Sequence, residues 1–204
     1  FRLRQLRAEA GLPTDEIEFH LFSESERILP THNERVRSTF ERTLRERGVS
    51  VHAGTPVVEV AEGTIRTGRG DAIVADEILW VTAAGAPAWP GAAGLAVDAA
   101  GFIKVADSLQ SVSHPDVFAA GDVAAMVNYP RPKSGVFAVR QGPPLADNLR
   151  RILLGRAPNA FHPQSNFLGL ISTGDRYAVA SRGTWSVKGR AVWLVKDWID
   201  RRFM

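Results

Sequence analysis

The 204-residue chain contains no cysteine, which excludes disulfides, thiolate metal sites and a redox-active dithiol from this sequence. Its five histidines, His20, His32, His52, His114 and His162, are scattered without a His-x-x-x-His pair, so no metal site is expected. No apolar run approaches the roughly 18 residues of a membrane-spanning helix, and no secretory signal pattern is present. A Gly-x-Ser-x-Gly turn that would present a serine nucleophile is missing as well. An excess of one charge is also lacking: 25 Lys and Arg against 22 Asp and Glu give a net +3, too little to point to a nucleic-acid partner.

What is there is ordinary globular composition, 45% hydrophobic and 23% charged, long enough to bury a sizeable core. Cytoplasm is the default compartment. The chain starts on Phe1 rather than Met, inside an expected helix Phe1 to Ala10 that carries Leu3, Leu6 and Ala10 on one face. It therefore reads as a piece of a longer protein.

Gly11-Leu12-Pro13 ends that helix, and the alternation of Ile17, Phe19 and Leu21 predicts a strand closing at Phe22. Thr31 and Glu34 have capping-box spacing before a charged helix with Val36, Phe40 and Leu44 on one stripe. Gly48 stops it and Val49 to His52 resume a strand, the order of a parallel crossover. The rhythm then shortens: Pro56 to Val60, Gly63 to Thr67 and Ala72 to Val74 predict an antiparallel meander turning at Gly68, Gly70 and Asp71. Glu77 to Gly85 is an apolar run ending in small residues, read as a further central strand.

The most informative stretch is His114 to Ala124. Val117 to Ala120 predict a short apolar strand, and Gly121 lets the backbone approach a ligand closely. Asp122 then stands where a carboxylate can accept hydrogen bonds from hydroxyls. The string closely resembles the second flavin-binding motif of the pyridine nucleotide-disulfide oxidoreductase superfamily, and the order of pieces before it matches the same superfamily. The resemblance is closest to the branch of type II NADH dehydrogenases and sulfide:quinone oxidoreductases, through Arg27-Ile28-Leu29-Pro30. The tail resembles members associated with selenophosphate synthetase.

The resemblance implies an α/β, Rossmann-like, partial two-dinucleotide-binding fold with a β-meander and a C-terminal strand pair plus helix. Residues 1–84 would be the latter part of the NAD(P)H domain, 85–155 the returning part of the FAD domain and 156–204 an interface region. It implies FAD as cofactor and NADH or NADPH as substrate, with hydride passing to flavin and then to a quinone or another acceptor. Gly121 and Asp122 would meet the FAD ribitol, and Gly135 and Val136 at a helix start would face the flavin pyrimidine edge. Gln141 and Gly142 match a Gln-Gly pair on that helix, read either as packing residues or as flavin contacts. The flavin itself would do the redox chemistry, so no catalytic side chain is named.

The Gly-x-Gly-x-x-Gly turns that cradle dinucleotide pyrophosphates are absent. The resemblance places both upstream, and these residues alone are expected to be inactive and free of flavin. In NAD-binding units an acidic residue ends the second strand; alignment on Arg27 to Pro30 puts Ser23 there, with Glu24 beside it. Glu24 favours NADH, with NADPH left open. Thr82-Ala83-Ala84-Gly85 is a looser version of the family's Ala-Thr-Gly-like turn, and Gly85 is the matching NAD(P)H contact, a plain strand exit being equally compatible.

A helix is expected from Ser134 to Leu154, kinked or restarted at Pro143 and Pro144, with Leu145, Leu149, Ile152 and Leu153 packing into the core. Leu168 to Ser172 and Tyr177 to Ser181 should pair as strands. Val187 to Phe203 should form an amphipathic helix with Ala191, Leu194, Val195, Trp198 and Ile199 on one face. The tail is basic, with Arg176, Arg182, Lys188, Arg190, Lys196, Arg201 and Arg202 outnumbering Asp197 and Asp200. This suits a subunit contact or a peripheral membrane contact. The alternative to an oxidoreductase is a non-catalytic dimerisation or partner-binding module, for instance for a selenophosphate synthetase.

Overall fold

A computed structural model describes residues 2–82, 84–165 and 167–203. They form two compact units, Phe1–Leu79 with Asn166–Met204, and Trp80–Ser165. The first opens with helix α1 (Arg2–Glu9), strand β1 (Phe19–Phe22), helix α2 (Glu34–Glu46) and strand β2 (Val49–His52). β1 and β2 pair in parallel, Phe19 opposite Val49 and Phe22 opposite His52, so the strand-helix-strand crossover is realised. Gly48 adopts φ +64°, the left-handed conformation that lets the chain leave α2. Val36, in the first turn of that helix, is fully buried.

The cap of α2 differs from the sequence expectation. The helix begins at Glu34, and Asn33 is the cap, its Oδ1 accepting from the Val36 amide at 3.1 Å. Thr31 stands two residues outside, and Glu34 sits in the first turn where its carboxylate serves arginines instead. Asn33 wins because its amide also donates to Gly183 O at 2.9 Å, a tie no local pattern reveals.

Strands β3 (Val57–Ala61), β4 (Thr64–Thr67) and β5 (Ala72–Val74) form the expected antiparallel meander. The apolar run after it does not become a strand. Residues 77–82 have no strand pairing, and Leu79 and Val81 are 91% and 89% exposed. A central strand needs neighbours on both edges, and no described segment offers one. Ala83 lies outside the described residues.

Helix α3 (Trp89–Ala92) opens the second unit. Strands β6 (Ile103–Val105) and β7 (Ala124–Met126) pair in parallel, and helix α4 (Gly135–Leu153) follows. Ile103, Val105, Leu109, Ala119, Ala124 and Met126 make its core, with Leu95, Phe118 and Leu145 packed around them. The strand expected at Val117 to Ala120 is reduced to one bridge, Gln110 with Phe118, because the Gly121 turn begins immediately after it. α4 runs through Pro143 and Pro144 as one helix. Its buried face is Phe137, Gln141 and Asn148, while Leu149 and Leu153 point to solvent. Of the expected stripe Leu145 packs on the core and Ile152 is half-buried. The fully buried position goes to Asn148, whose Nδ2 donates to Ser108 O at 2.8 Å and Asn159 O at 2.9 Å, while its Oδ1 accepts from Asn159 N at 2.7 Å.

Strands β8 (Gly169–Ser172), β9 (Ala178–Arg182) and β10 (Trp185–Gly189) and helix α5 (Arg190–Phe203) belong to the first unit. The C-terminal sheet thus has three strands rather than a pair, in the order β10-β9-β8. Val187 to Gly189, expected as helix, instead pair with Ala180 to Ala178 of β9. α5 packs on this sheet through the side that includes Val192, Trp193 and Ile199. Of the face read from the sequence as a contact surface, Leu194, Val195 and Trp198 are 61%, 51% and 62% exposed, while Ile199 is half-buried. No helix among the described residues is long and apolar enough to cross a membrane.

Candidate functional site

The Gly121-Asp122 turn is a single 3₁₀ turn, Gly121–Val123, between an extended Ala120 and β7. Gly121 has φ +71°, which a residue with a side chain adopts only at a cost. Its amide donates to Gln141 Oε1 at 2.5 Å. Gln141 is only 4% exposed, so its carbonyl is committed to holding the turn against α4. Asp122 is exposed, and its carboxylate accepts no hydrogen bond from a described residue.

Turn and helix line one cavity of about 390 Å³ whose wall includes Asp98, Phe102, Asp122, Arg131, Lys133 and Phe137. Gly121 and Gln141 line it too. Gly135 and Val136 lie between its lining residues Ser134 and Phe137, in the first turn of α4. Ser134 makes no side-chain cap, so this helix start keeps amides available for an acceptor. Glu24 and Gly85 are not on this cavity. Both are exposed, Glu24 in the loop after β1 and Gly85 before α3.

Sequence reading missed the cations. Lys133 Nζ donates to Ala124 O at 2.6 Å and sits 3.9 Å from the Phe102 ring centroid. Burial pushes its pKa down, against the attraction of Asp98 and Asp122. The Arg131 guanidinium lies over Phe137 at 4.9 Å and donates to Tyr129 O and Gln164 O; burial lowers its pKa too. The signal was the Pro130-Arg131-Pro132-Lys133 run just before a helix start. Prolines there fix the direction of the loop and leave its two cations against the cavity. Among the described residues no group of three or more His, Asp or Glu could hold a metal ion.

An open carboxylate, uncapped amides and a partly apolar wall form a donor and acceptor set that fits the hydroxyls and ring edge of a flavin. The family comparison decides the wider context: the pyridine nucleotide-disulphide oxidoreductase family matches residues 7–142. The chain belongs to this family. Its members are FAD-dependent NAD(P)H oxidoreductases. An NADH dehydrogenase-like protein, MT1860, of Mycobacterium tuberculosis is 32% identical over 89 residues, 44% of this chain and 22% of that protein. The type II NADH:quinone oxidoreductase of Haemophilus influenzae is 33% identical over 104 residues, 50% of this chain and 23% of that protein. The matched stretch thus spans under a quarter of each of these relatives. The sulfide:quinone oxidoreductase of Aquifex aeolicus shares the fold with a TM-score of 0.77 at 14% identity, over 98% of this chain and 52% of that one.

Proposed function

We propose that this chain is part of an FAD-dependent NAD(P)H oxidoreductase that passes hydride from a nicotinamide nucleotide to flavin and then to a quinone or another acceptor. The observation that carries this is the convergence of the Gly121-Asp122 turn, Gln141 and the start of α4 on one cavity. Asp122 accepts hydrogen bonds from the ribitol, and Gln141 fixes the turn that presents it. The Gly135 and Val136 amides face the pyrimidine edge, where the positive end of α4 favours the negative charge that reduction brings. Bound flavin supplies the hydride acceptor. Residues 1–84 act as the latter part of the nicotinamide domain, with Glu24 on the adenosine ribose and Gly85 near the nucleotide; residues 85–155 serve the flavin, and 156–204 form the interface.

The interface reading is supported by the outward stripe of Ala191, Leu194, Val195 and Trp198 on α5, bordered by Arg201 and Arg202. It supplies a subunit contact or a peripheral contact with a membrane surface in the cytoplasm. A selenophosphate synthetase is a candidate partner on the tail's resemblance alone.

The protein encoded by the full reading frame that carries this sequence should purify with FAD and oxidise NADH. Asp122→Ala should weaken FAD binding about tenfold, the worth of one or two hydrogen bonds to a charged group. A colourless full-length protein that takes up no FAD refutes the reading. These 204 residues alone contain no Gly-x-Gly-x-x-Gly turn and should retain no flavin; stoichiometric FAD on them would overturn that part.

A further inference from the structure

Parallel β1 and β2 end together at Phe22 and His52, and the loops that leave them stay joined. Ser23 N donates to His52 O at 3.1 Å, Thr55 N to Ser23 O at 2.8 Å and Gly54 N to Ser25 O at 2.9 Å. This is the carboxyl edge of the strands, where α/β sheets bind nucleotides. Arg27 is the one Arg or Lys between Ser23 and Asn33. By position it is the residue to which a 2′-phosphate would turn.

Its guanidinium is already engaged. Nη1 and Nη2 grip Glu34 at 2.7 and 2.9 Å as a two-pronged fork, and Nε and Nη2 reach Glu41 Oε1 at 3.1 and 2.9 Å. Glu34 and Glu41 stand seven residues apart, two turns along α2, so one face of the helix presents both carboxylates. Glu34 is itself held by Arg37 and Ser38, each at 3.0 Å, and cannot swing away freely. Buried Ile28 anchors the loop immediately beyond Arg27.

We propose that Arg27 is a sequestered selectivity residue: Glu34 and Glu41 hold its guanidinium away from a 2′-phosphate, so that the site takes NADH and rejects NADPH. The proposal rests on the reading of residues 1–84 as a nicotinamide-nucleotide domain. A 2′-phosphate would have to displace two carboxylates that also repel it. Arg27 and Arg37 against Glu34 and Glu41 sum to zero, and Glu24 and Glu26 leave the loop negative. Arg69 reaches the same edge, Nη2 to Gly54 O at 2.9 Å, but one cation does not offset both loop carboxylates. The Glu34 carboxyl, drawn from its ordinary 4.5 to about 2 chiefly by Arg27, stays charged across the neutral range.

The test measures 5′-AMP and 2′,5′-ADP binding by titration to the protein encoded by the full reading frame that carries this sequence. Wild type should bind 5′-AMP and take 2′,5′-ADP more weakly. Glu34→Gln with Glu41→Gln should tighten 2′,5′-ADP about tenfold, the effect of freeing one charged hydrogen-bonding partner, and leave 5′-AMP unchanged. Adding Arg27→Ala should erase the gain. If the double variant does not fold, Glu41→Gln alone should give a gain of the same sign, about threefold. If 5′-AMP binds but 2′,5′-ADP is unmoved, or the gain survives Arg27→Ala, the proposal is overturned. If wild type binds neither compound, the nucleotide-domain reading falls and takes the proposal with it.

Discussion

Replacing Gln141 with leucine keeps a similar volume at a site only 4% exposed, yet leaves the Gly121 amide without the acceptor it meets at 2.5 Å. A fully buried amide that loses its partner costs about 1–3 kcal/mol, and this part-buried one should cost up to about 2 kcal/mol. For a chain of this size about 2 kcal/mol lowers the melting temperature by about 4–8 °C. Gly121→Ala tests the other side of the contact. The added Cβ would meet Ala138 Cβ at 3.5 Å, ordinary contact, so its cost is the left-handed backbone alone, about 1–2 kcal/mol. Because both changes loosen one turn, the double variant should lose less than the sum. The assays are urea unfolding followed by fluorescence and hydrogen exchange at the Gly121 amide, which should accelerate in Gln141→Leu. Unfolding within about 0.5 kcal/mol of wild type, with unchanged Gly121 exchange, would refute the view that Gln141 holds the turn.

Asn33→Ala should destabilise the first unit by about 1 kcal/mol through loss of the α2 cap, read by thermal unfolding. Asn33→Asp keeps the cap acceptor but loses the donors to Gly183 O and Trp185 O and sets a carboxylate oxygen against them, so it should recover only part of that loss. The depressed pKa of Glu34 sets a pH dependence. Its contribution to stability is fully present above about 4.5, where the unfolded group titrates, and is lost as pH falls toward about 2. Arg27→Ala should move the Glu34 midpoint upward in an NMR titration; an unmoved midpoint would contradict the assignment of the shift to Arg27.

The local elements were legible wherever short-range rules decide them. β1, α2, β2 and the meander follow from periodicity and from Gly48, and the Gly121 turn from its glycine. Failures occurred where distant partners decide. The run from Glu77 has the composition of a central strand but no neighbours to pair with. α5 begins three residues later than its pattern suggests, because Val187 to Gly189 join the unforeseen strand β10. Leu149 and Leu153 of α4 look like core, yet Asn148 is buried because the chain at Ser108 and Asn159 passes close enough to satisfy its amide. In the candidate site, Asp122 stood out through its motif, whereas the proline-framed run holding Arg131 and Lys133 marks a stiff basic loop without telling which ring or carbonyl each cation meets.

The Asn148 amide joins three stretches of chain at once: its own helix, the segment at Ser108 40 residues earlier and the one at Asn159 11 residues later. In a chain without cysteine this is a clasp that tethers remote segments as a crosslink does, but it forms and opens with the fold itself. Reductant cannot cut it and oxidant cannot set it wrongly, so the course of the chain leaving α4 does not depend on the redox state of its surroundings.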